Sequence, residues 1–236
     1  MRPARSTTAL HRSASRFGTI GLAGLAGLLS IAFGIAGLAV DRMWTFPGTG
    51  STAAEIGAFA ADYRPELLVA STLNTLAVGL WLVFGVGVWQ WLREVTGSAS
   101  FLLTCFLVGF VSFVTLLLAG FTSLFLLAYR APEASDPRLL YDLTFSLLAM
   151  SGVPTALALG SYAAMAFGTS DRSLPTWTGW VAASGAVAHL GLLASLIVTS
   201  GFFSLEGGVI IAIPGTLFAW IVSTSVVMIS GDQAPP

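Results

Sequence analysis

The residue best suited to chemistry is a histidine inside an apolar segment. His189 lies near the middle of the fifth long uncharged stretch of the sequence. Histidine titrates near neutral pH, and a titratable side chain inside a membrane is by default a candidate functional group. The competing interpretation is a neutral imidazole that donates one hydrogen bond to a neighbouring helix, which is the commoner use of polar side chains between membrane helices.

A second polar group surrounds Asn74 in the second uncharged stretch. Ser71, Asn74 or Thr75, and Gly79 recur at helical spacing and therefore share one helix face. That face is suited to line a polar cavity. It is equally suited to hold two helices together through side-chain hydrogen bonds and close packing.

Two prolines interrupt further apolar stretches. Because Pro154 and Pro214 lack a backbone N–H, the carbonyls of Met150 and Ile210, four residues earlier, lose a helical hydrogen bond. Carbonyls at broken helices bind ions in some transporters. A single proline in a membrane helix, however, usually only bends the helix.

Acting together, these residues would form a polar pocket between the second, fourth and fifth spans that opens outward. Three acidic residues of the connecting segments would stand near its mouth. The predicted ligand-binding residues are therefore a lining of Asn74, Ser151, Thr155 and His189, and a mouth of Glu66, Asp142 and Glu206.

Two short motifs would allow a different chemistry. AMSG at 149–152 and AHLG at 188–191 resemble the Gly-x-Ser-Gly and Ala-His-x-Gly motifs of rhomboid intramembrane proteases. That resemblance implies Ser151 as nucleophile and His189 as its base. Ala149 replaces the first glycine, however, and His189 stands on the next, antiparallel helix instead of two helices later. We interpret the match as coincidence and keep an intramembrane Ser-His hydrolase as a remote alternative.

No cofactor or metal is predicted. Cys105 is the only cysteine, which excludes an internal disulfide and a CxxC motif. His189 is the only histidine inside a span, so no bis-histidine haem site exists. The sequence also lacks a phosphate-binding loop, an HExxH motif and a dinucleotide fingerprint.

The elements that must position these residues follow from the spacing of charges. Only 9 % of the 236 residues are charged and the mean hydropathy is +0.87, whereas a soluble domain has about 25 % charged residues. Six intervals of 24 to 35 residues carry no formal charge, and about 20 apolar residues cross a membrane once. We predict one all-α domain, residues 17–230, with six transmembrane helices at about 17–40, 67–92, 101–129, 139–167, 177–203 and 207–230.

Arginine positions predict the orientation. Four arginines precede the first span, and cytoplasmic segments carry the excess of positive charge. Both chain ends are therefore predicted to be cytoplasmic, in a plasma membrane that we take to be bacterial from the Ala- and Gly-rich, lysine-free composition. This orientation places six arginines inside, Arg2, Arg5, Arg12, Arg16, Arg93 and Arg172, and four outside, Arg42, Arg64, Arg130 and Arg138.

The segments outside the spans are short except for the first connection. There Thr52 and Glu55 have the spacing of a capping box, and apolar residues at helical spacing follow. We predict a short amphipathic helix on the outer surface. Residues 1–16 and 231–236 are predicted to be disordered tails.

The order of features resembles a family of six-helix bacterial membrane proteins known only as a domain of unknown function. The resemblance lies in the Phe-Pro-Gly start of the first connection, the Ala-rich segment Ser51–Tyr63 and the Trp89-Gln-Trp-Leu-Arg-Glu end of the second span. It implies the six-helix fold and supplies no activity.

The function predicted first is therefore a membrane scaffold or accessory protein, with enzymatic activity kept only as the remote alternative. Its partners would be the lipid bilayer and another membrane protein or a second copy, held through faces of small residues, with no nucleic acid. Such faces occur in the first span and at Ser184, Ala188, Gly191 and Ser195. The alternative is a small transporter or lipophilic-ligand binder that uses the outward-facing polar pocket.

Overall fold

The structure, a computed structural model, describes residues 7–41, 45–97, 100–131, 133–169 and 173–231. Within these ranges the chain forms helices and connections and no strand. The helical elements are α1 (Thr7–Val40), α2 (Ala53–Asp62), α3 (Arg64–Thr96), α4 (Phe101–Arg130), α5 (Pro137–Met150), α6 (Gly152–Gly168), α7 (Thr176–Leu190), a 3₁₀ turn (Gly191–Leu196) and α8 (Val209–Gly231).

Six helical segments are long and apolar enough to cross a membrane, which confirms the predicted all-α fold and the predicted number of spans. The fourth of them, Pro137–Gly168, consists of α5 and α6, which meet at Ser151. The chain is therefore a multi-pass membrane protein. Which end of the bundle faces the cytoplasm stays a prediction, and four of its arginines, Arg2, Arg5, Arg42 and Arg172, lie outside the described residues.

The six spans form a closed ring. Each span packs against the spans before and after it in the sequence, and α8 packs against α1 to complete the circle. One end of the ring holds the connections 45–63, 133–136 and 197–208, and we call it the lid end. The opposite end, where α1 begins and α8 finishes, is the tail end.

Small residues of α1 form contacts inside the ring, as predicted. A β-carbon on Gly24 would lie 3.0 Å from the backbone oxygen of Ser225, so α1 and α8 approach closely there. In the predicted small-residue face of α7, Ser184 is exposed, and the use of this face by a partner stays a prediction. Gly179 and Gly185 instead make the close contacts of α7, against α6.

The predicted extent of two segments is wrong. Helix α1 begins at Thr7, so residues 7–16 are helical and not part of a disordered tail; no proline or glycine interrupts this stretch, and an existing helix extends at little cost. At the other terminus Gly231 is the last residue of α8, and residues 232–236 lie outside the described residues.

The fifth span is shorter than the predicted 177–203. Its helical part ends with the 3₁₀ turn at Leu196, and α8 begins at Val209 instead of 207. Between them Gly201 has a φ of 81°, a conformation that ends regular helix, and Ser204 Oγ donates a hydrogen bond to the Gly201 carbonyl. The apolar side chains of this connection that misled the prediction, Ile197, Phe202 and Phe203, are exposed at the lid end.

The first connection contains the predicted short helix, α2. Its capping box is formed: Glu55 N donates to Thr52 Oγ1 at 3.3 Å, and Thr52 N donates to Glu55 Oε2 at 2.7 Å. Ile56 and Phe59 are buried, and α2 packs against α4 and α5 at the lid end. Its predicted place outside the cell depends on the orientation and stays a prediction.

Candidate functional site

An interior cavity of about 110 Å³ lies in the ring towards the lid end. All six spans contribute to its wall, as does Phe46 of the first connection. Most of the wall is apolar. The polar and ionisable side chains that line it are Asp41, Asn74, Thr144, Ser151, Thr155 and His189.

The four residues predicted to line a pocket all line this cavity. Asn74 is on α3, Ser151 joins α5 to α6, Thr155 is on α6 and His189 is on α7. Each is buried, with between 1 % and 5 % of its surface exposed. The structure thus brings together residues that are up to 115 positions apart in the sequence, on the helices from which the pocket was predicted.

Ser151 marks the break between α5 and α6. Pro154 supplies no N–H to the Met150 carbonyl, which weakens the helix at this level. The hydroxyl groups near the break donate to other backbone carbonyls: Ser151 Oγ donates to the Leu148 carbonyl at 2.7 Å, and Thr155 Oγ1 donates to the Ser151 carbonyl at 2.7 Å. Both hydroxyl protons are therefore committed to the backbone.

Close packing of two helix breaks positions His189. Gly152 follows Ser151, and a β-carbon there would collide with the His189 carbonyl, so only glycine allows α6 and α7 to meet. Helix α7 ends one residue after His189 and continues as the 3₁₀ turn. The His189 ring is fixed by a hydrogen bond of 2.8 Å between Nδ1 and the Gly185 carbonyl.

That hydrogen bond defines the chemistry of the imidazole. A carbonyl only accepts, so Nδ1 carries the proton and Nε2 of the neutral ring carries a lone pair. Among the residues that the structure describes, none hydrogen-bonds Nε2. His189 therefore lines the cavity as a hydrogen-bond acceptor.

Asn74 sits against α1 on the other side of the cavity. A β-carbon on Gly37 would collide with Asn74 Oδ1, so the glycine makes room for the amide. The described part of the chain gives this amide no hydrogen bond, although it is 95 % buried (5 % exposed). A buried amide without a partner is costly, so this part of the wall favours a polar occupant of the cavity.

Phe46 covers the cavity at the lid end. Its ring lies 5.6 Å from that of Phe145 and 5.4 Å from that of Phe59, both edge-on. The segment around it is fastened twice: Tyr141 Oη donates to the Pro47 carbonyl at 2.6 Å, and Thr49 Oγ1 donates to Glu206 Oε2. We call residues 45–52 the lid.

None of the three acidic residues predicted at the mouth lines the cavity. Glu66 is half-buried in the first turn of α3. Asp142 faces the surface and pairs with Arg138 at 3.6 Å. Glu206 holds the lid through Thr49, and its other oxygen, Oε1, is buried without a partner among the described residues.

Three wall residues were missed by sequence reasoning. Thr144 follows the helical spacing of Ser151 and Thr155, so that spacing was a usable signal. Asp41 was interpreted as the start of a connection, yet it is 4 % exposed and lines the cavity. Phe46 gave no signal, because its position depends on how the first connection folds back over the ring.

The Ser151–His189 pair does not form a catalytic contact in the structure. Ser151 Oγ is bonded to the Leu148 carbonyl and His189 Nδ1 to the Gly185 carbonyl. Between them no hydrogen bond is formed, although both line the same cavity. A nucleophile–base pair requires a hydrogen bond between the two groups, so the geometry gives the hydrolase hypothesis no support.

Comparisons with family models, with curated protein sequences and with solved structures find no match to this chain. The function therefore has to be argued from the cavity itself.

Proposed function

We propose that this multi-pass membrane protein binds a small, mostly apolar molecule in the cavity at the lid end of its ring. The observation that carries the proposal is the cavity of about 110 Å³ that gathers Asn74, Ser151, Thr155 and His189 from separate helices. Ligand sites in proteins are typically concave and apolar with a few convergent polar groups, and this wall has that composition.

The cavity of about 110 Å³ limits its ligand to a small molecule of at most about one ring. An engineered apolar cavity of about 150 Å³ holds benzene, and one water molecule occupies about 30 Å³ of liquid. Aromatic side chains form the part of the wall farthest from the lid, where the Trp81 ring lies 5.9 Å from Phe113 and 6.1 Å from Phe218. This end is suited to the apolar part of a ligand.

The cavity favours ligand binding over the scaffold that the sequence favoured. A protein that only packs its helices together gains from closing the centre of the ring, because voids forfeit dispersion contacts. Here the centre stays open at the level where Asn74 and His189 Nε2 have no protein partner among the described residues. A ligand supplies both the missing contacts and the missing hydrogen bonds.

Transport is a second candidate, favoured by the helix breaks. The break at Ser151, the start of the 3₁₀ turn beside Leu192 and Pro214 of α8 all border the cavity. Broken helices around a central site are typical of secondary transporters. In a transporter the aromatic wall at Trp81 would open towards the tail end, whereas in a binding protein only the lid would open. In the predicted bacterial plasma membrane, with both chain ends cytoplasmic, the lid faces outside.

The proposal is tested by filling the cavity. Ala77 lines it and is 2 % exposed, so Ala77→Phe places a ring in the space. We expect saturable binding of 4-fluorotoluene, followed by ¹⁹F NMR in detergent micelles, to fall at least tenfold, because the probe and the new ring compete for one volume. The control Val83→Phe adds the same ring to a lipid-facing position of α3, 52 % exposed, and should bind like the native protein.

Either of two results would overturn the proposal. One is the absence of any saturable binding by the native protein above partition into empty micelles. The other is equal binding by the native protein and a folded Ala77→Phe variant, which would place the probe elsewhere.

A further inference from the structure

We propose that the ligand carries a hydrogen-bond donor, a neutral O–H or N–H group, which His189 Nε2 accepts while the aromatic end of the cavity holds the apolar part. This inference rests on the proposed function and specifies the ligand class: a small apolar alcohol, phenol or amine. It follows from which polar atoms of the wall still have hydrogen-bonding capacity.

Each hydroxyl group of the wall already donates its proton to a backbone carbonyl. Thr144 Oγ1 donates to the Leu140 carbonyl at 2.9 Å, Ser151 Oγ to the Leu148 carbonyl at 2.7 Å and Thr155 Oγ1 to the Ser151 carbonyl at 2.7 Å. A hydroxyl has one proton and two lone pairs. Without breaking these bonds, all three residues therefore offer a ligand only acceptors.

The imidazole of His189 likewise offers a ligand only a hydrogen-bond acceptor. Nδ1 of His189 donates its proton to the Gly185 carbonyl, and Nε2 has a lone pair with no hydrogen bond to a described residue. Imidazole nitrogen is the strongest neutral acceptor among these groups. Helices α6 and α7 touch where Gly152 meets the His189 carbonyl, and the acceptors of Ser151, Thr155 and His189 line the same cavity.

With the remaining polar groups included, the wall still offers a ligand more hydrogen-bond acceptors than donors. The Asn74 amide both donates and accepts, and Asp41 already has an interaction of its own. Trp81 also lines the cavity, and its buried Nε1–H has no hydrogen-bond partner among the described residues, so it is a second donor beside the Asn74 amide. A ligand with acceptors alone would therefore rely on Asn74 and Trp81, and a ligand carboxylate would also face the acceptors of Thr144, Ser151, Thr155 and His189.

Two nearly isosteric probes separate a donor from an apolar group. 4-Fluorophenol and 4-fluorotoluene differ by O–H against methyl, and each dissociation constant is corrected for partition into the same micelles without protein. We expect the native protein to prefer 4-fluorophenol by about two- to tenfold, the range that one neutral hydrogen bond contributes. 4-Fluoroanisole, which accepts but does not donate, should show no such preference over 4-fluorotoluene.

The role of His189 is tested by His189→Phe, which keeps a ring and removes the acceptor. We expect this variant to bind 4-fluorotoluene and to lose the preference for 4-fluorophenol. The control Ser184→Ala removes a polar group from the exposed face of α7 and should keep the preference. If His189→Phe does not fold, the comparison of 4-fluorophenol with 4-fluoroanisole on the native protein decides the inference.

The outcomes distinguish this inference from the proposed function. Saturable binding of all three probes with equal corrected affinities would overturn the donor preference and leave the ligand cavity standing. A 4-fluorophenol preference that persists in folded His189→Phe would remove His189 as the acceptor. No saturable binding of any probe would overturn the proposed function itself.

Discussion

The centre of the ring is packed differently in its two halves, the tail half next to the tail end and the lid half next to the lid end. In the tail half the centre is filled: Trp220 of α8 contacts Phe84, Phe106 and Tyr162 of three other helices, with ring centroids 5.5, 6.4 and 5.4 Å away. In the lid half the same six spans surround a cavity with polar walls. We call the tail half, whose centre is filled, the closed level of the ring, and the lid half, which holds the cavity, the open level.

The difference coincides with the regularity of the helices. In the tail half glycines let the helices approach closely, as where a β-carbon on Gly87 would collide with that of Ala23. In the lid half the fourth span is broken at Ser151 and the fifth ends as a 3₁₀ turn from Gly191. At the break in the fourth span the hydroxyls of Ser151 and Thr155 line the cavity. We therefore expect the closed level to stabilise the bundle and the open level to bind the ligand.

The largest expected effect is a loss of stability on adding a methyl group at the closed level. A β-carbon on Gly109 would lie 2.7 Å from the Pro154 carbonyl oxygen and 2.8 Å from the Ala158 nitrogen. Because these are backbone atoms, Gly109→Ala must separate α4 from α6, and we expect a loss of about 1–3 kcal/mol, typical of overpacking. Thermal unfolding followed by size-exclusion chromatography measures it.

A matched substitution on the lipid side provides the control. A β-carbon on Gly79 has no atom within 4 Å, and this residue is exposed. Gly79→Ala should leave stability unchanged or raise it by about 0.5–1 kcal/mol, as alanine favours helix over glycine. Equal destabilisation by both substitutions would show that close backbone contact does not distinguish the closed level.

An intermediate effect is expected at the lid. Phe46→Ala removes the edge-on contacts with Phe59 and Phe145, each contributing about 0.5–1.5 kcal/mol. We expect the lid to open about tenfold more often. The measurement is the rate of maleimide labelling at Leu148→Cys, a wall position, in a protein whose own cysteine is replaced by Cys105→Ala.

The control for the lid is a phenylalanine without such contacts. Phe101 at the tail end is 78 % exposed, and Phe101→Ala should leave the labelling rate unchanged. An unchanged rate in Phe46→Ala as well would mean that the cavity opens by another route, such as separation of the helices around Trp81.

The sequence predicted the six spans and part of the wall of the open level, but not the aromatic cluster that fills the closed level. Charge spacing located the six spans, because each formal charge is costly in hydrocarbon. The same cost made Asn74 and His189 conspicuous, and both line the cavity. Asp41 and Phe46 escaped notice because their place depends on tertiary folding of the first connection. The end of the fifth span was missed because the residues after Leu196 are apolar yet form turns.

The smallest expected effect is on the stability of the first turn of α2, where Thr52 and Glu55 form the capping box. The hydrogen bond from the Thr52 backbone N–H, and then that from its hydroxyl, holds the pKa of the exposed Glu55 carboxyl below its usual range. A lowered folded pKa means that the ionised carboxylate stabilises the folded helix. This contribution is complete above the ordinary value of 4.5 and is lost as the pH falls through the lower folded value.

Backbone amide exchange in α2 tests this contribution. We expect amides of the first turn to exchange faster at pH 3.5 than the intrinsic pH dependence predicts, relative to pH 6. Glu55→Gln keeps a capping side chain without the charge and should abolish this pH dependence, whereas Thr52→Ala should weaken the first turn at both pH values by about 1 kcal/mol. A pH dependence that persists in Glu55→Gln would assign it to other carboxylates at the lid end, of which Glu206, bonded to Thr49, is the nearest to the lid itself.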